Sequence, residues 1–151
     1  MTYYPKRPVK SFQDLEVYQK LLAIAVVIVK RIPQDTNNSL INDLHECVLS
    51  LPIKIAAAHS LRFGNTEQAI RILEEIMVGC NKIVVYLELY RDLYNGTGDV
   101  RSEDQDNIGS GTIELEFFEE QIKNILSTRF KILHLQRSWI KFTPSEIKTK
   151  K

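Results

Sequence analysis

The chain has 151 residues, of which 44% are hydrophobic and 26% are charged, the length and composition of one globular domain. Its net charge of only +1 shows that the chain as a whole is not a polycation. Two cysteines, Cys47 and Cys80, form neither a disulfide framework nor a metal-binding spacing, and both fit apolar helical patterns as small core residues. The first residues lack the apolar run of a secretory signal, so the expected compartment is the reducing cytoplasm.

Residues 1–10 are predicted to form a basic N-terminal arm. Pro5 and Pro8 disfavour a helix in this segment. The bases of the arm are candidates for contact with nucleic-acid phosphates, and they are Lys6, Arg7 and Lys10.

The first helix is predicted to begin at Ser11, which caps it together with Asp14, and to end at Arg31, before the Ile32-Pro33 step. One apolar stripe has the spacing of a bundle seam: Leu15, Tyr18, Leu22, Ala25, Val29 and Ile32. A second apolar stripe follows beside it: Val17, Leu21, Ile24 and Ile28. A bundle helix needs only one apolar face, so we predict that the second stripe is an oligomer interface. The continuous apolar run is far shorter than the roughly 20 residues that span a bilayer.

Two further helices are predicted over 39–62 and 66–94, joined by a turn around Gly64. Pro52 lies inside the first of them and should kink it. Asn65 with Gln68 is a plausible capping pair for the second. The two predicted seams are Leu40, Leu44, Cys47, Leu51, Ile55 and Ala58, and Ile70, Leu73, Met77, Cys80, Val84 and Leu87.

Residues 95–112 differ in kind, because four of the six glycines of the chain lie here with acidic residues between them. This composition predicts a flexible, disordered linker. The alternative is an acidic strip that covers a basic surface.

The last helix is predicted over 113–142, followed by a basic tail at 143–151. Its predicted core side is Leu115, Phe118, Ile122, Ile125, Leu126, Phe130, Leu133 and Ile140. Glutamates fill its first turns, and bases predominate from Gln121 onward. These bases are either a solvated helix end or contacts for phosphates, and the candidates are Lys123, Arg129, Lys131, Arg137 and Lys141. Trp139 is either an anchor in an interface or a plain core residue, and we assign it to an oligomer interface or to the end of the bundle.

Together these elements predict an all-α fold, an up-down-up-down four-helix bundle over 11–142 with the flexible linker before the last helix. The chain shows no catalytic signature. His45, His59 and His134 have no carboxylate or cysteine at ligand spacing, and no glycine-rich loop follows a strand. We therefore expect no enzyme activity, no metal and no cofactor.

Two segments resemble a known family. SFQDLEVYQK at 11–20 resembles the opening of bacterial four-helix-bundle proteins encoded by intervening sequences of large-subunit ribosomal RNA genes. SLPIKIA at 50–56 resembles the middle of their second helix, including its proline. The chain departs from that pattern at Lys54, Ala57 and Ala58, where the family usually has asparagine, glutamate and glycine.

The C-terminal Trp139-Ile140-Lys141 is similar to a related branch, the accessory variability determinant proteins of diversity-generating retroelements. The resemblance implies a homopentameric ring of bundles. In this branch it also implies binding to a reverse transcriptase and to RNA or DNA through the phosphate backbone. The short apolar run of the first helix separately leads us to expect no membrane partner. In the intervening-sequence branch, it implies a structural or protein-interaction module without a nucleic-acid role.

Overall fold

A computed structural model describes residues 11–95 and 112–142 of the chain. They form a single turn of 3-10 helix at Phe12–Asp14 and four α-helices, which are α1 (Glu16–Arg31), α2 (Ser39–Leu61), α3 (Thr66–Leu93) and α4 (Leu115–Lys141). Each helix packs against the next in chain order, and α4 closes the ring against α1. The predicted all-α four-helix bundle is confirmed. The arm at 1–10, residues 96–111 of the predicted linker and the tail at 143–151 lie outside the described residues.

Short polar side chains cap the 3-10 turn and the starts of α2 and α3. Ser11 and Asp14 form the predicted capping box, but it closes the 3-10 turn, and α1 begins only after Leu15. The Gln68 amide donates to Asn65 Oδ1 over 3.2 Å, which confirms the predicted capping pair of α3. Asn38 caps α2 in the same way, a cap that the sequence analysis missed.

The side of α1 that faces the core is the stripe predicted to face another subunit. Val17, Leu21, Ile24 and Ile28 are 5%, 2%, 6% and 0% exposed within the single chain. Their assignment to an oligomer interface is therefore wrong, because almost none of their surface remains for a neighbouring copy. The predicted seam of α1 is divided between buried and exposed positions, and its Leu22 is 42% exposed.

The core line of α4 is also displaced from the predicted one. The buried residues of this helix are Phe118, Gln121, Ile125, Thr128, Ile132, Gln136 and Trp139. A second apolar line, on the flank of the buried one, is exposed or half-buried, and we call it the outer stripe of α4; its members are Leu115, Ile122, Leu126, Phe130, Leu133 and Ile140. Of the predicted core side of α4, only Phe118 and Ile125 are fully buried.

Helices α2 and α3 approach each other closely at Gly79. A Cβ atom on Gly79 would lie 2.8 Å from Leu51 Cδ2, so a larger residue could fit only if the buried Leu51 moved. The helix α2 is continuous across Pro52, which is buried, and the predicted kink there stays a prediction.

The end of α3 is joined to the start of α4 by one side chain. Asn95 Nδ2 donates to the carbonyl of Ile113 over 2.9 Å, and the Ile113 amide donates to Asn95 Oδ1 over 2.8 Å. Asn95 is buried, although the sequence analysis placed it at the start of a flexible linker. This pair of hydrogen bonds brings the two ends of the intervening segment together.

Candidate nucleic-acid interface

Three of the predicted phosphate contacts share one face of α4. Lys123, Arg137 and Lys141 are exposed, and their spacings of 14 and 4 residues return to the same side of a helix. The span from Lys123 to Lys141 is about 27 Å at 1.5 Å per residue. The sequence from Gln121 to Lys141 contains neither aspartate nor glutamate, so this part of the helix carries only positive charges.

The other two candidate bases of α4 lie elsewhere. Lys131 Nζ lies 3.5 Å from Glu16 Oε2 on α1, so its charge is partly compensated within the chain. Arg129 is half-buried toward the core, and its Nε is buried without a hydrogen-bond partner. The structure therefore does not join these two bases to the face formed by the other three. Lys6, Arg7 and Lys10 lie outside the described residues.

Trp139 lies in the core at the end of the bundle. It is 2% exposed, which leaves it no area to act as an oligomer anchor or to stack on a base, so that part of its assignment is wrong. The Arg62 guanidinium lies 5.2 Å from the centre of the Trp139 ring and 4.7 Å from that of Phe63. Arg62 is a residue that the sequence analysis missed, since its distance in sequence from Trp139 gives no signal of the contact.

His59 belongs to the same end of the bundle. Its ring centre lies 6.4 Å from that of Trp139. Burial lowers the pKa of His59 below its usual value, and the positive charge of Arg62 lowers it further. The neutral imidazole is therefore favoured in the folded state.

His45 has a structural role. Its ring is buried, with Nδ1 2.7 Å from Gln34 Oε1 and Nε2 2.5 Å from the carbonyl oxygen of Ile32 at the end of α1. These contacts tie the α1–α2 connection to the side of α2. In residues 11–95 and 112–142 no group of three or more histidine, cysteine or acidic side chains could hold a metal ion.

The two thiols lie on facing sides of α2 and α3. Burial raises the pKa of Cys80 to about 12 and also raises the pKa of Cys47. Cys47 Sγ donates weakly to the carbonyl of Gly79 over 3.6 Å. Because the thiolate is the reactive form, these surroundings favour structural cysteines over nucleophiles.

Apolar side chains also face outward on the other helices. On α1, Leu22 and Val26 lie one turn apart, and on the adjacent α2 Leu49 and Ile53 do the same; all four are exposed. Exposed apolar side chains that form a contiguous area are typical of protein interfaces.

Comparisons of the chain with protein families, with curated proteins and with solved structures gave no match. None of the helices within the described ranges is both long enough and apolar enough to cross a membrane.

Proposed function

We propose that this chain is a non-enzymatic, oligomeric four-helix-bundle accessory protein that binds nucleic acid and a reverse transcriptase in a diversity-generating retroelement. The observation that carries the nucleic-acid part is the face of α4 formed by Lys123, Arg137 and Lys141. The resemblance of Trp139-Ile140-Lys141 to the retroelement branch supports the reverse-transcriptase part, and the same resemblance suggests five subunits.

Lysine and arginine side chains on an exposed helix bind phosphates and release counterions, so binding of this kind is sequence-tolerant and weakened by salt. Three bases on one chain make few contacts. An oligomer repeats them, and the repeated contacts raise the apparent affinity without a strongly basic chain.

The test is fluorescence anisotropy of a labelled RNA and a labelled DNA duplex at low salt. The variant Lys123→Glu/Arg137→Glu/Lys141→Glu should lose binding, because the new carboxylates on this face of α4 repel the phosphates. The matched control, Lys30→Glu/Arg71→Glu/Lys82→Glu, changes the net charge equally on α1 and α3, at exposed positions. It should bind more tightly than the α4 variant. Equal affinities of the two variants, or no binding by the folded wild type, would contradict the proposed site.

The reverse-transcriptase partner is tested by co-expression with a retroelement reverse transcriptase, followed by purification through a tag on this chain. We expect the two proteins to elute together after nuclease treatment. Ile140→Asp replaces an exposed apolar side chain of the resembling segment and should weaken that complex. Elution of this chain alone would contradict this part of the proposal.

A second candidate function is the structural or protein-interaction module of the intervening-sequence branch. This function is favoured by the exposed apolar side chains of α1 and α2, which are Leu22, Val26, Leu49 and Ile53. A protein partner can bury such side chains without any nucleic acid. An oligomeric protein that binds neither RNA nor duplex at low salt would establish this alternative.

A further inference from the structure

An aromatic ring of the outer stripe lies within the basic face of α4. Phe130 is seven residues after Lys123 and seven residues before Arg137. Seven residues are nearly two helical turns, so the three side chains share one side of the helix. Ile132, two positions further on, is fully buried, which places Phe130 on the side of α4 that points away from the bundle. Phe130 is accordingly 57% exposed.

The ring of His134, one turn further along α4, packs against the ring of Phe130. The two ring centres are 4.5 Å apart, and the ring planes are nearly perpendicular, at 86°. A single perpendicular neighbour covers at most one face of a phenyl ring. With more than half of the residue exposed, the Phe130 ring therefore has surface left for a flat partner.

The charges on both sides of the ring indicate the class of that partner. Lys123 and Arg137 are each about 10 Å from Phe130 along the helix axis, and the sequence between Gln121 and Lys141 contains no acid. Proteins that bind single-stranded nucleic acid combine cations for the phosphates with aromatic rings on which the bases stack. In a duplex the base faces are already stacked on one another, so a ring beside the phosphates gains little there.

We propose that Phe130 is a stacking platform for an unpaired nucleobase, so that the basic face of α4 binds single-stranded RNA or DNA in preference to a duplex. This inference rests on the proposed nucleic-acid function and adds to it the class of nucleic acid that is bound. Phosphates of the strand contact Lys123 on one side of the ring and Arg137 and Lys141 on the other, while one base lies against Phe130. Every base has a flat π-face, so the preference is for unpaired bases and not for a sequence.

The test is fluorescence anisotropy with a labelled oligothymidylate and a labelled abasic strand of the same length, which has the same phosphates but no bases. The wild type should bind the oligothymidylate at least about fivefold more tightly, because only this probe offers a base to Phe130. Phe130→Leu keeps an apolar side chain but removes the aromatic face, so its affinity for the oligothymidylate should fall about fivefold. Its affinity for the abasic strand should stay within about twofold of that of the wild type, because the phosphate contacts remain. Phe130→Trp restores an aromatic face and should bind the oligothymidylate at least as tightly as the wild type.

Tyr94→Leu is the matched control, since it removes an exposed aromatic ring at the end of α3, near the start of α4 and far from Lys141. It should bind both strands like the wild type. Circular dichroism checks that every variant is folded, and sedimentation velocity should give Phe130→Leu the molecular mass of the wild type.

Two results would overturn the stacking role of Phe130. One is an affinity of Phe130→Leu for the oligothymidylate equal to that of the wild type. The other is a lower mass of Phe130→Leu, which would mean that a second copy of the chain covers this ring. If the wild type binds both strands equally, and more weakly at high salt, stacking fails while the proposed phosphate contacts stand. If it binds neither strand, both proposals fail.

Discussion

At the scale of single residues, the structure depends on contacts between positions far apart in sequence. Asn95 was predicted to start a flexible linker because glycines and acidic residues follow it. Its side chain instead completes two buried hydrogen bonds with Ile113. Composition describes a segment on average, so it could not show that one asparagine at its edge has a partner across the bundle.

We predict that Asn95→Ala lowers the free energy of unfolding by about 1–3 kcal/mol, because it leaves the buried amide and carbonyl of Ile113 without partners. Urea denaturation followed by circular dichroism measures this change. Asn37→Ala is the matched control, as Asn37 is exposed in the α1–α2 connection, and it should change stability by less than about 0.5 kcal/mol. Equal effects of both substitutions would mean that Asn95 does not join the helices.

The second prediction at this scale concerns His59. Its pKa is lowered in the folded state, so the unfolded chain binds more protons below about pH 6.5, and acidification through this range decreases the free energy of unfolding. An NMR titration of the His59 ring should give a midpoint below the ordinary value. Arg62→Met should raise that midpoint, whereas Lys82→Met, far along α3, should not. If Arg62→Met leaves the midpoint of the His59 titration unchanged, the electrostatic part of the explanation is contradicted.

At the scale of the elements, apolar periodicity predicted the existence and approximate limits of all four helices and most of the buried faces of α2 and α3, but not the buried faces of α1 and α4. On α1 the two stripes both have helical spacing, and the structure buries Val17, Leu21, Ile24 and Ile28. On α4 the buried line includes Gln121 and Gln136, which the sequence analysis passed over because they are polar. The spacing of apolar residues identifies a face of a helix, but packing against the neighbouring helices decides whether that face is buried.

A pair of substitutions tests the core line of α1. Ile28→Glu should destabilise the fold by about 4 kcal/mol or more, because it buries an unpaired carboxylate at a fully buried position. Val27→Glu changes the preceding residue, which is 40% exposed, and should leave the protein folded. Thermal unfolding by circular dichroism distinguishes the two. A folded Ile28→Glu protein of lower mass would restore the interface assignment that burial argues against.

The polar line of α4 gives a second paired prediction. Gln121→Met removes a buried carbonyl oxygen without a partner and should stabilise the protein by about 1 kcal/mol. Gln136→Met makes the same change about 22 Å further along the helix, at 1.5 Å per residue. Gln136 Nε2 donates to the Ile70 carbonyl and to Glu74 Oε1, so this variant should be less stable by about 1–2 kcal/mol. If both variants changed the free energy of unfolding in the same direction, the distinction between an unpartnered Gln121 and a hydrogen-bonded Gln136 would be contradicted.

At the scale of the whole molecule, the charge pattern along the chain predicted a basic C-terminal half of the last helix, and the structure divides that half. Lys131 is paired with Glu16, Arg129 turns inward, and Lys123, Arg137 and Lys141 share one exposed face. Sequence reasoning could not make this division, because the pairing of Lys131 depends on how α4 packs against α1.

The most direct measurement of the central claim, that this face of α4 contacts phosphates, is the salt dependence of duplex binding. We compare the wild type with Lys123→Gln/Arg137→Gln/Lys141→Gln, which removes the charges without adding repulsion. Each lost phosphate contact should reduce the steepness of log K against log salt concentration by about 0.9, or by about 2.7 for the three contacts of one protomer. Equal slopes for the folded variant and the wild type would contradict the claim.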